Sequence, residues 1–282
     1  MELSEFDKLR LIYKDIIRGS SYSETEKFHV RHLSELDNID ITNYKIRQFN
    51  YYLENQLMSE EQKVKWLIEN EEWTKQQEDQ IVSLKYIISD NLKNIDKIIP
   101  EQRAGIQLMI NQKKDELANL LIEKKALMGI TADEYSEKDA IHFFTYLSMY
   151  RDMEGKSPYF ASFEEFEDCS DEAIKRYVNE IDSILKPFTE SQIRKISALP
   201  FFLNPFSYCK DSVTSFLKIP MHKVTNYQML LLSLGSRNIN ILSQSEGQPP
   251  EFLDKDDLDK IVNWYDQQSS IIAGKRNTKQ TK

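Results

Sequence analysis

IVSLKYIISDNLKNIDKIIPEQRAGIQLMINQKKDELANLLIEKKAL, residues 81–127, is the stretch that decides the fold. Ile81, Leu84, Ile88, Asn91, Ile95 and Ile98 recur at alternating spacings of three and four, the period that holds one seam of an α-helix against a partner helix. Ile106, Ile110, Lys113, Leu117, Leu120, Lys124 and Leu127 continue the pattern, with Lys113 and Lys124 loosening it. Between the two runs stands Pro100, which has no N–H to donate and whose ring collides with the preceding turn, so one helix cannot run through. Two amphipathic runs around a helix breaker predict an antiparallel coiled-coil hairpin, each arm about 25 residues, or roughly 35–40 Å at 1.5 Å per residue. Burial gains of roughly 1.5–3 kcal/mol per apolar side chain are largely offset by the entropy of ordering two arms. The hairpin is therefore expected to lean on the rest of the chain or on a second copy. Asn91 either fixes its register or is an exposed residue at an imperfect position.

Outward from the hairpin the punctuation stays helical. Glycine and proline number only 7 and 8, and these are the residues that turns consume. Ser or Thr stands three residues before Glu or Gln at Ser23/Glu26, Ser59/Gln62, Thr74/Gln77, Thr131/Glu134, Ser162/Glu165, Thr189/Gln192 and Thr225/Gln228, the pattern that satisfies free N–H groups at a helix start. Gly129 and Gly235 sit where C-terminal caps would end helices. Toward the N-terminus, Phe6, Leu9, Ile12, Tyr13, Ile16 and Ile17 form one apolar stripe ending at Gly19. Phe28, His32, Leu33 and Leu36 form a second, and Ile46, Phe49, Leu53 and Leu57 a third, before a helix near Val64, Trp66, Leu67 and Ile68. After the hairpin come YFASFEEF (159–166), PFFLNPF (200–206) and FLKIP (216–220). Helices are expected through Tyr227, Leu230, Leu231 and Leu234 and through Leu258, Ile261, Val262, Trp264 and Tyr265, with SQSEGQPPEF as the loop between them. The expected architecture is all-α: an N-terminal helical bundle (1–73), the coiled-coil hairpin (74–130), a C-terminal aromatic-rich helical domain (131–273) and a basic flexible tail (274–282).

Composition narrows the function. Hydrophobic residues at 40% and aromatics at 11% suffice for a core despite a mean hydropathy of −0.57, which argues against general disorder. No stretch approaches the roughly 20 apolar residues of a membrane span, and MELSEFDKLR lacks a signal-type apolar run. Cys169 and Cys209 form no CxxC pair, so a reducing compartment is expected, the cytoplasm or a particle assembled there. Lys275, Arg276, Lys279 and Lys282 contribute four positive charges to a net charge of −9, leaving −13 on residues 1–273. A body so acidic repels phosphate backbones, so no nucleic acid is expected on it.

The chemical inventory is thin. The glycines stand singly and neither GxxxxGK, GxGxxG nor GxSxG occurs, which removes the phosphate-cradling loops and the nucleophile elbow. No cofactor, metal or catalytic residue is assigned. The sharpest enzymatic alternative is a helical-bundle metal enzyme, because Glu26-x-x-His29 and Asp139-x-x-His142 each set a carboxylate and an imidazole on one helical face, with His29-x-x-His32 as a further ligand pair. It would centre on Glu26, His29 and His142, although the helix stripes offer no paired inward Glu.

PFFLNPF, FLKIP, VTNYQMLLLSLG (224–235) and DLDKIVNWYDQ (257–267) together resemble the helical C-terminal portions of small structural and tail-assembly proteins of tailed bacteriophages. The resemblance contains no diagnostic motif. It implies a non-enzymatic virion component or assembly factor that binds other proteins, or itself as a homo-oligomer, with no catalytic residues to carry over. The residues expected to touch partners are Ile81, Leu84, Ile88, Ile95, Leu117 and Leu120 of the hairpin and Phe201, Phe202 and Phe206, for which local core packing is the competing reading. A cytosolic protein-binding adaptor is the remaining alternative.

Overall fold

Each Ser or Thr cap identified above, Ser23 excepted, starts a helix in the computed structural model of the chain, which describes residues 4–95, 99–209, 213–245 and 258–280. In chain order the elements are α1 (Glu5–Arg18), β1 (Ser20–Tyr22), β2 (His29–Arg31), α2 (Glu35–Glu54), α3 (Glu60–Glu69), α4 (Lys75–Asn94), α5 (Pro100–Met128), α6 (Ala132–Ser148), β3 (Met149–Tyr150), α7 (Phe163–Glu167), α8 (Asp171–Leu185), α9 (Glu190–Ala198), α10 (Pro200–Ser207), α11 (Val213–Leu217), α12 (Asn226–Gln244) and α13 (Leu258–Gln280). The fold is predominantly all-α with one small antiparallel sheet, ordered β1-β2-β3. Among the described residues no helix is long and apolar enough to cross a membrane.

The chain divides into two units at places other than residues 73, 130 and 273. One unit joins residues up to Asn43 to residues from Ile141 onward, and the other is the continuous segment Tyr44–Ala140. The physical reason lies in α1 and β2, whose apolar residues find their cover in the C-terminal half. Leu9 and Ile16 of α1 are fully buried among Ile193, Ile196, Phe202, Leu231 and Leu232, while Phe28 and Val30 sit with Met149, Phe160, Phe166, Ile174 and Ile181. Within this unit α12 is the shared support. Its Gln228 side chain reaches α1, donating from Nε2 to the carbonyls of Ile16 (2.9 Å) and Ile17 (3.1 Å). Its Asn238 donates to the Ser197 carbonyl at the end of α9 at 3.1 Å, and its Gly235 lies under Phe202 and Phe206 of α10.

In the second unit α4 and α5 form the expected antiparallel hairpin. Gln80 bonds Glu116 at 2.7 Å while Glu78, earlier on α4, meets Lys124, later on α5, at 2.9 Å. Ile81 joins Leu67, Trp73 and Met128 in one buried cluster, with Val64 and Ile68 of α3 against it. The Trp73 indole donates to Glu78 at 2.8 Å, satisfying a polar atom that burial would otherwise strand. Both lysines that interrupt the second seam are paired, Lys124 with Glu78 and Lys113 with Glu116 at 2.7 Å. Asn91 donates back to Ile87 of its own helix at 2.8 Å and so sets no register.

Three expectations need correction. Phe28, His32 and Leu33 do not belong to a helix. Ser23 caps a turn through the Glu26 N–H, Lys27 takes a φ of +59°, and the chain returns as β2, with burial alternating along Phe28–His32 at the period of a strand. The third stripe is not buried, since Ile46 is exposed and α2 contributes no buried residue. Gly235 ends no helix and is buried inside α12. Ile98 and residues 246–252 of the expected loop lie outside the described residues, and the α13 helix continues to Gln280 through most of the expected tail.

A Cβ built on Gly235 would stand 2.6 Å from Phe202 and 2.9 Å from Phe206, closer than carbon atoms approach. Gly235→Ala is therefore expected to destabilise the chain by about 1–3 kcal/mol through overpacking, despite alanine's better helix propensity. Urea unfolding measures it, and an unchanged or raised midpoint would show that the α10–α12 contact is looser than described.

Candidate functional site

The residues expected to bind partners are mostly covered by their own units. Phe202 is fully buried and stacks on Phe206 at 5.1 Å, Phe206 meets Phe216 edge-on at 5.3 Å, and Phe201 sits against Phe6 at 5.6 Å and Tyr13 at 5.1 Å. Ile81, Leu84 and Ile88 are buried in the hairpin, Leu117 and Leu120 pack on the Leu67–Trp73 cluster, and Ile95 is half-buried at the end of α4.

The metal constellation does not assemble. Glu26 is engaged by Arg176 at 3.1 Å, His29 lies against Tyr22 at 4.8 Å, and His142 sits edge-on to Phe166 at 6.2 Å. Asp139 accepts from the Tyr52 hydroxyl at 2.6 Å. Among the described residues no group of three or more His, Cys, Asp or Glu side chains could hold a metal ion.

An open cleft of about 450 Å³ lies instead beside α1 in the first unit. One wall is α1 itself, presenting Glu5, Lys8, Leu11, Ile12 and Asp15, and β1 adds Ser21 and Tyr22. The opposite wall comes from the end of α8 and the start of α9, with Ile184, Pro187, Phe188 and Gln192. The lining is mainly apolar, yet Leu11 and Tyr22 remain 48% and 42% exposed. Asp15 is half-buried here. Burial pushes its carboxyl above the usual range, and the Ser21 hydroxyl with the charges of Arg18 and Lys14 only partly offsets that.

Behind Ser21 lies His32, 1% exposed, its Nε2 at 3.0 Å from the Ser21 Oγ. Phe188 and Tyr227 meet its ring edge-on at 4.8 and 5.2 Å. The serine hydroxyl and the imidazole share this one hydrogen bond, and Nδ1 on the other side of the ring has no partner. A serine beside a histidine suggests a nucleophile, but burial holds this imidazole down at a pKa of about 4, too weak a base to take the serine proton. No third group orients the ring through Nδ1, as an activated serine requires. The pair therefore joins β1 to the core rather than forming a catalytic dyad.

No protein-family model, no curated protein and no solved structure matches the chain.

The sequence carried one signal of the cleft that the helical stripe obscured. Leu11 falls outside the Phe6–Leu9–Ile12–Tyr13–Ile16–Ile17 face, at a position of α1 that should favour a polar residue.

His32 also makes stability depend on pH. The folded chain keeps it neutral down to about pH 4, whereas the unfolded chain protonates it near its ordinary value of about 6.5. Between those values the unfolded state binds more protons, so the contribution of neutral His32 is complete above about pH 6.5 and is lost as the pH falls toward 4. Asp15, raised in the fold, acts in the opposite sense at lower pH, so a comparison of variants is needed. Between pH 7 and 5 the wild type should lose about 2 kcal/mol more than His32→Gln, measured by urea unfolding at both pH values. Equal losses would show that His32 is not held neutral.

Proposed function

We propose that this chain is a non-enzymatic structural or assembly protein that works by binding other proteins, and that the cleft beside α1 receives a segment of a partner. The observation that carries this reading is a cleft open to solvent, with apolar walls, two large apolar side chains left exposed in its lining and a desolvated carboxylate inside it. Apolar surface and a poorly solvated charge both cost free energy in the free protein, and an occupant would relieve both. The Ser21–His32 contact behind the cleft wall has the wrong base strength for nucleophilic catalysis and no group orienting the ring. The metal-enzyme alternative draws no support from Glu26, His29 and His142, which are engaged separately. The more specific form, a tailed-phage virion component or tail-assembly factor, is supported by the resemblance of residues 200–267 alone.

The test is a photo-crosslinking side chain at Leu11, with Tyr208, 85% exposed, as the control position in the same unit. In cells containing the natural partners, a discrete protein adduct is expected from position 11 and not from position 208. Equal labelling from both positions, or none from position 11, would remove the cleft as the binding site.

A further inference from the structure

We infer that the α4–α5 hairpin carries a second docking surface, a groove that receives an acidic amphipathic helix of a partner protein. The groove, about 460 Å³ and open to solvent, is lined by Lys85, Ile88, Ser89, Leu92 and Lys93 of α4 and by Leu117 of α5. Its floor is apolar and only partly covered: Ile88 is buried, Leu117 is half-buried, and Leu92 is 44% exposed. The helical form of the occupant follows from what covers the rest of the hairpin. Leu67 of α3 joins Trp73, Ile81 and Met128 in one buried cluster, and Val64, Ile68, Leu117 and Leu120 pack against it. Leu117 stands in both places, so the groove begins where the cover by α3 gives out. α3 has 10 residues and α4 has 20, so the shorter helix cannot cover the whole of α4, and among the described residues α4 and α5 alone line the groove. The furrow between two antiparallel helices is the shape that a third helix fills.

The rim sets the charge of that helix. Lys85 and Lys93 are exposed on α4, about 12 Å apart along its axis. On α5, Lys114 is exposed one turn before Leu117. Among the described residues none of these three lysines enters an ion pair, and no carboxylate lines the groove, although the chain as a whole carries a net charge of −9. Cations on both walls of an apolar floor match a helix whose apolar stripe is flanked by carboxylates two turns, or about 11 Å, apart. Because every rim charge has the same sign, the match holds whichever way the partner helix runs. A second copy seated by its own α4 would instead set lysine against lysine, Lys85 beside Lys85 in parallel register or beside Lys93 when antiparallel about Ser89, and like charges flanking a seam work against that pairing.

The experiment uses the full chain and two helix-stapled, capped, fluorescently labelled peptides, read by anisotropy at low salt. Both carry a leucine stripe at three-four spacing; one flanks it on each side with glutamates seven residues apart, the other with glutamines. The glutamate peptide is expected to bind about fivefold more tightly, the worth of two exposed ion pairs. Lys85→Gln combined with Lys93→Gln should erase that preference, while Leu92→Gln should weaken both peptides alike. All three residues are exposed, so the variants keep the fold, which thermal unfolding checks. Equal affinity for the two peptides, a preference that survives the double substitution, or no binding overturns the inference. So does a mass of the chain alone that rises with concentration and falls back in Leu92→Gln, which would give the groove to a second copy. The cleft beside α1 stands or falls separately, on the crosslinking from position 11.

Discussion

The arrangement of the first unit depends on one buried amide. Gln228, 2% exposed, uses both of its donor hydrogens and its acceptor oxygen: Oε1 accepts from the Thr225 N–H at 3.0 Å and Nε2 donates to the Ile16 and Ile17 carbonyls. Half of this is an ordinary capping box, but the other half crosses 212 residues of sequence to close the last turn of α1. Carbonyls at a helix end need partners when they are buried, and here the start of one helix supplies them to the end of another. Gly19 makes the turn beside it. Its φ of +74° carries the chain from α1 into β1, and a Cβ there would stand in ordinary contact with the Gln228 amide at 3.4 Å. The left-handed backbone is what calls for glycine.

Fixing the end of α1 fixes the cleft, because α1 serves two surfaces. Its Leu9 and Ile16 enter the core while Lys8, Leu11 and Asp15 line the open side. The β1–β2 hairpin that follows closes one end through Ser21, which is held from behind by His32. Arg31, on the next strand, grips Asp37 with both terminal nitrogens at 2.8 and 3.1 Å, and Asp37 also accepts from the Ser34 N–H at 2.7 Å, so the start of α2 is tied to β2. Partial burial makes an ionised Asp15 costly in such a setting.

The parts of this fold that sequence made legible are those encoded within a few residues. The seven-residue neighbourhood of Thr74, the seam of Ile81, Leu84 and Ile88, and the break at Pro100 each determine local structure directly. Periodicity does not reveal what covers a stripe, so the spacing of Leu117 suits an interface as well as a core, and the Phe202 cluster, more commonly core, also admits an interface. The β-hairpin is hidden in the sequence because its strands are three residues long and Phe28, His32, Leu33 and Leu36 mimic helical spacing. Gly235 has the same letter whether it ends a helix or admits a phenyl ring, and only Phe202, 33 positions away, distinguishes the two. The cleft was least legible, since its two walls are α1 and the α8–α9 turn, brought together only by the completed core.

The division of the chain also orders events during translation. Residues 44–140 form one continuous unit, and the hairpin and the Trp73 cluster draw on residues 64–128 alone, so the nascent chain can complete them as soon as they leave the ribosome. The first 43 residues emerge earlier but must wait, because β2 needs Met149 and α1 needs Gln228. Until then Leu9, Ile16, Phe28 and Val30 have no cover. Contacts of such long sequence separation form slowly and leave apolar surface open to wrong partners, so α1 and β2 stay vulnerable longer than the hairpin made after them.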